Sequence, residues 1–467
     1  MNQYQKLIRN KIPEIINSDS QKCQVKKLSN GEYKEALKQK LIEEAQEVLT
    51  ANKDNLEEEI ADVYEVIEAI IKANKLDKKA IAKVQKEKRK LKGKFDQKCF
   101  LISVKSEENI NNLTPLELSL LQEAENFLEK EVLLKREVID KDSDILKQTL
   151  MKMNKVNYNF FQLKLSKFWG GLDISNLGFY SWQIMIAKYS GALSFLQTQH
   201  QSAMAMLSNS KNKIVKEKYL SKIIKENLFC GVGFSHLRRK GKPLLTAIPT
   251  EKGYQLKGFI PWITGYDIFS YFIIGATLPD GQELYAMMPF QNQNTIEFSP
   301  PMKLSAMNST NTVTANVSQY FLPSEDVVMI KPPHAIDKKD EKNVLHHGFF
   351  ALGCSLAGLK ILENNCQKLK LDKVTYSYTQ LKAQVENLQA KMLEMVTYSH
   401  DNFTQKLDLR IQAINLAYRC AMAAIITSKG EANKLSHDAN LIYREALVYS
   451  VSGQTIPVLT GVLETFI

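Results

Sequence analysis

The residues in this chain best spaced for chemistry are two sets of carboxylates near its N-terminus. The segment LIEEAQE carries Glu43, Glu44 and Glu47, and EEEIADV, after the break TANKDN, carries Glu59 and Asp62. Residues three apart share a helical face, so Glu44/Glu47 and Glu59/Asp62 form two pairs. Helices folded back antiparallel across the break bring four acidic side chains together. Like charges at that separation repel, and a hard cation relieves the repulsion. Mg²⁺ held by carboxylates and bridging to substrate phosphates fits this spacing. Solvated, Glu-rich helical faces laced with i,i+4 pairs carry the same spacing, so both readings stand on these residues alone.

The flanks add a resemblance. The chain opens QKLIRNKIPEII, continues EYKEALKQKLIEEAQE and EEEIADVYEVIEAI, and closes this stretch with KLKGKFDQKCFLISV. That order resembles the all-α MazG-like nucleoside triphosphate pyrophosphatases, whose signature is EExxE followed by ExxD, over residues 1–104. The resemblance implies Glu44, Glu47, Glu59 and Asp62 as Mg²⁺ ligands, Glu43 as the residue that orients water or a second ion, and Lys6, Arg9 and Lys11 as contacts to a triphosphate. The implied reaction is attack of metal-activated water between the α and β phosphates, releasing a monophosphate and pyrophosphate.

At 467 residues the chain is long enough for two or three units. Its apolar content of 44% and charged content of 24% suit a soluble globular protein. No run of about 18 uncharged apolar residues appears, so no transmembrane helix is expected. LIRNKIPEII is broken by charge and proline, unlike a signal peptide. The six cysteines (Cys23, Cys99, Cys230, Cys354, Cys366, Cys420) lack zinc or CxxC spacing, so free thiols in a reducing, cytoplasmic compartment are expected. The net charge of +11 sits in lysine stretches such as KAIAKVQKEKRKLKGK. No RNP-like motif, zinc finger or recognition helix accompanies them, which argues against nucleic acid as the partner.

The elements that position chemistry change character along the chain. Residues 1–104 read as helices ending in a strand-like FLISV, and SEENINNLTP supplies a polar linker at 105–114. Thr114, Pro115 and Glu117 mark a helix start, and residues 115–227 keep a helical period broken by the turn GGLDIS. Residues 228–330 are rich in β-branched and aromatic residues between turns at Lys252-Gly253, Pro279-Asp280-Gly281 and Pro300-Pro301, which predicts an antiparallel β unit. The helical period then returns over 331–467. The expected fold class is α+β multidomain: an all-α domain, then a helical, β and four-helix-bundle unit.

That order, with FWGGLDIS, GVGFSHLRR, YQLKGFIPWITG, GFFALGCSLAGL and IYREALVYS, resembles the acyl-CoA dehydrogenase family of flavoproteins over residues 115–467. The resemblance implies FAD, with Trp262 stacked beside the isoalloxazine and Thr264 bonded to its edge. It also implies backbone donors from the loop Val232, Gly233, Phe234 and Ser235, an acyl thioester substrate and a homo-oligomer.

The resemblance departs from the family at the base. The family's glutamate follows an R-[DE]-A segment; here Arg444-Glu445-Ala446 is followed by LVYSVSGQT, and Ser452 or Gly453 stands in that place. Neither can remove an α proton. Relatives with the base on the first C-terminal helix point instead to KNVLHHGFFALG, where His346 and His347 are the titratable groups. The R-x-x-F-G motif that reaches a neighbouring subunit's FAD is absent, as is the Gly-Gly-x-Gly stretch, which leaves FMN open. Three readings of this module follow. One is oxidation of an acyl thioester with an atypical base. Another is a flavin-dependent monooxygenase using Ser235 and His236, and the third is a scaffold that binds without turnover.

Overall fold

The computed structural model describes residues 6–18, 23–96, 113–154, 160–398 and 402–467. The chain divides into two compact units, Met1–Lys105 and Ser106–Ile467. The FLISV segment, Cys99 and most of the expected linker lie outside the described residues.

Unit 1 contains α1 (Ile12–Ser18), α2 (Asn30–Thr50), α3 (Leu56–Ala73) and α4 (Lys78–Lys92). A capping box starts α2: Ser29 Oγ accepts from the Glu32 N–H, and the Ser29 N–H donates to Glu32 Oε2 at 2.8 Å. These bonds satisfy amides that the first helical turn leaves unpaired. The break at 51–55 turns α3 back onto α2, and the two helices pack together. Among the described residues of this unit, Leu37 and Val66 are the fully buried apolar side chains, one on each helix. Ile42, Leu49, Ile60 and Tyr64 remain exposed on the same pair.

Unit 2 begins where the proline and its neighbours place a helix start. In α5 (Pro115–Glu131), Thr114 and Glu117 form a second capping box with Pro115 in the first turn. The other Glu117 oxygen accepts the Ser175 N–H at 2.7 Å, fastening the GGLDIS turn to α5. The helices α6 (Arg136–Lys141), α7 (Ser143–Met153), α8 (Asn176–Tyr189) and α9 (Gly191–Ser208) follow, then α10 (Lys213–Val215), a π turn at Lys216–Leu220 and α11 (Ser221–Glu226).

The β region consists of β1 (Cys230–Gly233), β2 (Leu245–Thr250), β3 (Gly253–Ile263), β4 (Tyr271–Thr277), β5 (Glu283–Pro289), β6 (Ile296–Phe298), β7 (Val313–Pro323) and β8 (Val327–Lys331). They form one sheet in the order β6-β7-β3-β2-β4-β5-β8, with β1 attached to β4. The sheet is mixed rather than antiparallel as expected: β1 runs parallel to β4, Cys230 opposite Tyr271. The β1–β4 crossover carries β2 and β3 between them, so hairpin turns alone could not reveal it.

The C-terminal part holds short α12 (Ala335–Lys342), the four bundle helices α13 (Gly348–Leu369), α14 (Asp372–Thr397), α15 (Phe403–Ser428) and α16 (Asp438–Val451), and short α17 (Ile456–Glu464). α13 is the hub, packed on α8, α14, α15 and α16. Its Gly353 lies against the Ile184 carbonyl and Gly358 against the Cys420 backbone, where a Cβ would not fit, so the helices approach at backbone distance. The stretch Phe403–Asn433 is long and apolar enough to cross a bilayer by length and composition, but half of it is buried within the protein. The sequence scan for uncharged runs did not pick it out. Cys23, Cys230, Cys354, Cys366 and Cys420 are free thiols.

Candidate functional site

In unit 1 the short break between α2 and α3 sets the register that matters. Glu44, Glu59 and Asp62 each place one carboxylate oxygen within 4.8 Å of the others. Glu44 is buried: one oxygen pairs with Lys40 at 2.6 Å, and Oε2 has no hydrogen-bond partner. A buried carboxylate oxygen without a donor is costly, and a cation ligand satisfies it. Glu47 is exposed on the same side, and partial desolvation, then the hydrogen bond with Glu44 and the Glu59 charge, raise its carboxyl above the usual range. Of the four acids expected to converge, Glu44, Glu59 and Asp62 do so, while Glu47 lies outside that group and feels it through the Glu44 and Glu59 charges. The donor set is oxygen only, which suits a hard divalent cation.

The basic residues of this unit divide. Arg9 pairs with Asp62, and Lys6 reaches Glu43 at 3.4 Å. Glu43 also bonds Lys40 at 2.8 Å. Lys11 is exposed and makes no ion pair among the described residues. Lys40 was missed from sequence, although its i,i+4 spacing to Glu44 was available as a signal.

In unit 2, β3 delivers the aromatic platform. Trp262 is 47% exposed at the end of the strand, which leaves its indole face open beside the turn that follows. Two residues on, Thr264 is buried and its Oγ1 lies 3.1 Å from Thr312 Oγ1. The next residue must be glycine: Gly265 has φ +101°, and a Cβ there would lie 2.2 Å from the Phe269 ring. Its N–H donates to the Thr310 carbonyl at 2.8 Å, pinning the turn beside the threonine pair.

The segment 230–235 is only partly the expected loop. Val232 and Gly233 belong to β1, opposite Ile273 and Ile274 of β4, because burial on both sides favours strand pairing. β4 is the sole sheet neighbour of β1, so the other edge offers backbone groups, and at Cys230 the N–H donates to His200 Nδ1 at 3.1 Å. Burial holds His200 neutral, its pKa lowered to about 3. Phe234 is buried edge-on against Tyr285 at 5.3 Å, with Lys339 Nζ over its ring. Ser235 is half-buried. His236 is turned inward: Nε2 lies 2.7 Å from the Gly275 carbonyl, Nδ1 has no partner, and burial lowers the ring to about 4. It pins the turn after β1 onto β4.

The chain entering α13 holds the other titratable pair. His346 packs 5.1 Å from Tyr180, itself stacked on Phe349 at 4.3 Å, and burial first, then Lys406, lower it to about 4. His347 is half-buried, with Nδ1 3.2 Å from Ser452 Oγ. Burial first, then the Arg410 charge, hold it well below the ordinary imidazole range. Gly453, at φ +57°, lies against the same ring. Ser452 and Gly453, which stand in the sequence where a glutamate was sought, therefore meet a histidine.

Arg410 was missed from sequence. It is 2% exposed and donates to the carbonyls of Val344, Ser452 and Gly453 at 3.1, 2.9 and 3.1 Å. Its signal was an arginine within the apolar stripe Arg410, Ala413, Ile414, Ala417 and Ala421 of α15.

No protein-family model matches this chain, and no curated protein matches it. Solved structures do. Glutaryl-coenzyme A dehydrogenase in complex with glutaryl-CoA is similar with a TM-score of 0.66 and 16% identity, over 76% of this chain and 96% of that one. Butyryl-CoA dehydrogenase from Megasphaera elsdenii gives 0.65 and 14%, over 76% and 99%. PigA, solved with FAD and proline, gives 0.63 and 15%, over 76% and 98%. The fold is that of the acyl-CoA dehydrogenases, α+β and multidomain. At these identities the likeness establishes architecture, and function has to be argued from the site.

Proposed function

We propose that unit 2 is a flavin-dependent oxidoreductase acting on an acyl thioester, with His347 as its base. The observation that carries the flavin reading is Trp262, a half-exposed indole two residues from the Thr264 hydroxyl, within a fold shared with flavoproteins. Trp262 and Thr264 would hold the isoalloxazine, with Val232, Gly233, Phe234 and Ser235 lending backbone donors. When bound, FAD supplies the two-electron acceptor. PigA, of the same fold, was solved with FAD. FMN is the alternative because the arginine motif for the distal end of FAD is missing from the sequence.

In the tautomer protonated at Nδ1, which sets that N–H toward Ser452 Oγ 3.2 Å away, His347 Nε2 is the nitrogen left to take the substrate α proton. His346, packed on Tyr180, is the second candidate. The test is heat release of the cofactor from purified protein and its identification by chromatography. FAD that bleaches anaerobically with an acyl-CoA supports the reading. FMN that consumes oxygen only when supplied reduced moves it to a monooxygenase, and no flavin after reconstitution defeats both and leaves a scaffold. Like the dehydrogenases, the chain is proposed to form a homo-oligomer.

For unit 1 we infer a Mg²⁺-dependent nucleoside triphosphate pyrophosphohydrolase, making the chain bifunctional. The convergence of Glu44, Glu59 and Asp62, with Glu47 beside them, supports it. Glu43 would orient the attacking water, and Lys6, Arg9 and Lys11 would meet phosphate. Pyrophosphate release across a nucleotide panel tests the reading. Activity that survives Glu47→Ala with Asp62→Ala would remove the metal-site assignment.

A further inference from the structure

Arg410 is a buried cation whose bonds all go to backbone. Among the described residues no carboxylate forms an ion pair with it. Asp340 is the acid whose field reaches it, and Asp340 already forms a two-pronged pair with Arg238. Burial therefore lowers even this guanidinium to about 10. A position on the apolar stripe of α15 could be filled by leucine or methionine at no desolvation cost. The carbonyls it binds explain its retention. Val344 lies three residues before His347, and Ser452 and Gly453 form the turn pressed against the His347 ring. One side chain ties together the two segments that enclose the imidazole.

We propose that Arg410 is the positioning residue of the proposed base: it clamps the Val344, Ser452 and Gly453 carbonyls, fixes His347 Nδ1 on Ser452 Oγ, and leaves Nε2 as the reactive nitrogen. The inference rests on the reading of His347 as the base. Three hydrogen bonds from a rigid, planar cation define an orientation that one ammonium cannot reproduce. The charge keeps the resting ring neutral, and it opposes the proton that a base takes up. The charged groups acting on His347 are Arg410 from α15, Arg238 from the turn after β1, and His346 beside it. All disfavour a second proton on the ring, and Asp340 acts on Arg410.

The test uses the full chain with histidine-selective ¹³C/¹⁵N labelling, reading ring tautomer and protonation by NMR. The His347 signal is assigned by its loss in His347→Gln. In the unaltered protein one tautomer, protonated at Nδ1, should persist to well below pH 6. Arg410→Met removes clamp and charge, so the His347 midpoint should rise above that of the unaltered protein, while burial, the larger cause, still holds it below the ordinary imidazole value. Arg410→Lys keeps the charge but not the geometry, so the midpoint should stay low while the tautomers mix. A single Nδ1–H tautomer unchanged in Arg410→Lys would overturn the proposal, and that variant decides if Arg410→Met does not fold. Failure of the base reading looks different: His347→Gln would reduce its flavin at the unaltered rate while the tautomer result for Arg410 still held.

Discussion

The His347 ring fills the space that a side chain on Gly453 would need: a Cβ there would lie 2.5 Å from His347 Nε2 and 2.7 Å from Cδ2. The glycine also holds φ +57°, where any other residue is strained. A side chain at 453 and an imidazole at 347 are therefore mutually exclusive in this backbone. The ring that takes this space comes from the segment entering α13, about a hundred residues earlier in the chain.

Gly453→Ala should destabilise unit 2 by about 2–4 kcal/mol, combining overpacking with left-handed strain. Adding His347→Gly should recover the overpacking share and leave about 1–2 kcal/mol for the strain. Urea denaturation of both single variants and the double closes the cycle. Additive losses would show that the two side chains do not compete for space.

A second prediction concerns pH. Glu445 of α16 is buried, accepts the Gly191 N–H at 2.7 Å, and has its carboxyl raised to about 7 by burial and then by the Asp140 charge. The folded protein thus keeps a proton that the unfolded chain releases near the ordinary glutamate value of about 4.3. Stability contributed by the neutral acid is complete below that value and is lost as pH rises to about 7. Asp140 is raised by burial too and pushes in the same direction. Glu445→Gln keeps an acceptor for Gly191 and cannot ionise. It should gain up to about 3 kcal/mol over the unaltered protein at pH 8, and little at pH 4.5. A constant difference across that range, read by thermal melts, would refute the assignment.

The carboxylate cluster of unit 1 predicts cation binding that weakens with acid. Glu47 is raised by partial desolvation first and then by its neighbours Glu44 and Glu59, so protons and cation compete for the same oxygens. Mn²⁺ titration followed by EPR should show one tight site at pH 8 and about tenfold weaker binding in Glu59→Gln with Asp62→Asn. Lys11→Ala should leave the affinity unchanged, since Lys11 is exposed and makes no ion pair with these acids among the described residues. Equal Mn²⁺ affinity in the double variant would mean that the acids repel one another without holding an ion.

What the sequence made legible was local. The carboxylates converge because their three-residue spacing and a short break leave one way to fold back. Trp262 and Thr264 sit at a strand end because IPWITG reads as strand into turn. The missing pieces are long-range. Arg410 binds carbonyls 66 and 42 residues away, and a hydrogen bond to backbone leaves no trace in the partner's residue type. His236 read as available because its neighbours are loop-like, and only the β1–β4 pairing turns it onto Gly275. The mixed sheet has the same cause, since parallel pairing depends on a crossover rather than a turn.

Unit 1 should prove much less stable than unit 2 when separated from it. Among its described residues Leu37 and Val66 are the fully buried apolar side chains, while unit 2 buries an extended core from Leu120 to Val462. Burying one aliphatic side chain contributes about 1.5–3 kcal/mol, and ordering each residue costs about 1–2 kcal/mol. Two such side chains cannot offset the ordering of four helices. The exposed Ile42, Leu49, Ile60 and Tyr64 on α2 and α3 are apolar area that remains to be covered. A fragment of residues 1–104 should therefore be largely unfolded at micromolar concentration by circular dichroism, and a fragment of residues 113–467 should melt cooperatively. Partial recovery of helicity in the short fragment with millimolar Mg²⁺ is expected if the four acids bind it, because a ligand held only by the folded form shifts the equilibrium toward it. A fragment 1–104 that melts cooperatively at low concentration without added cation would show that its stability has a source other than the side chains buried in this fold.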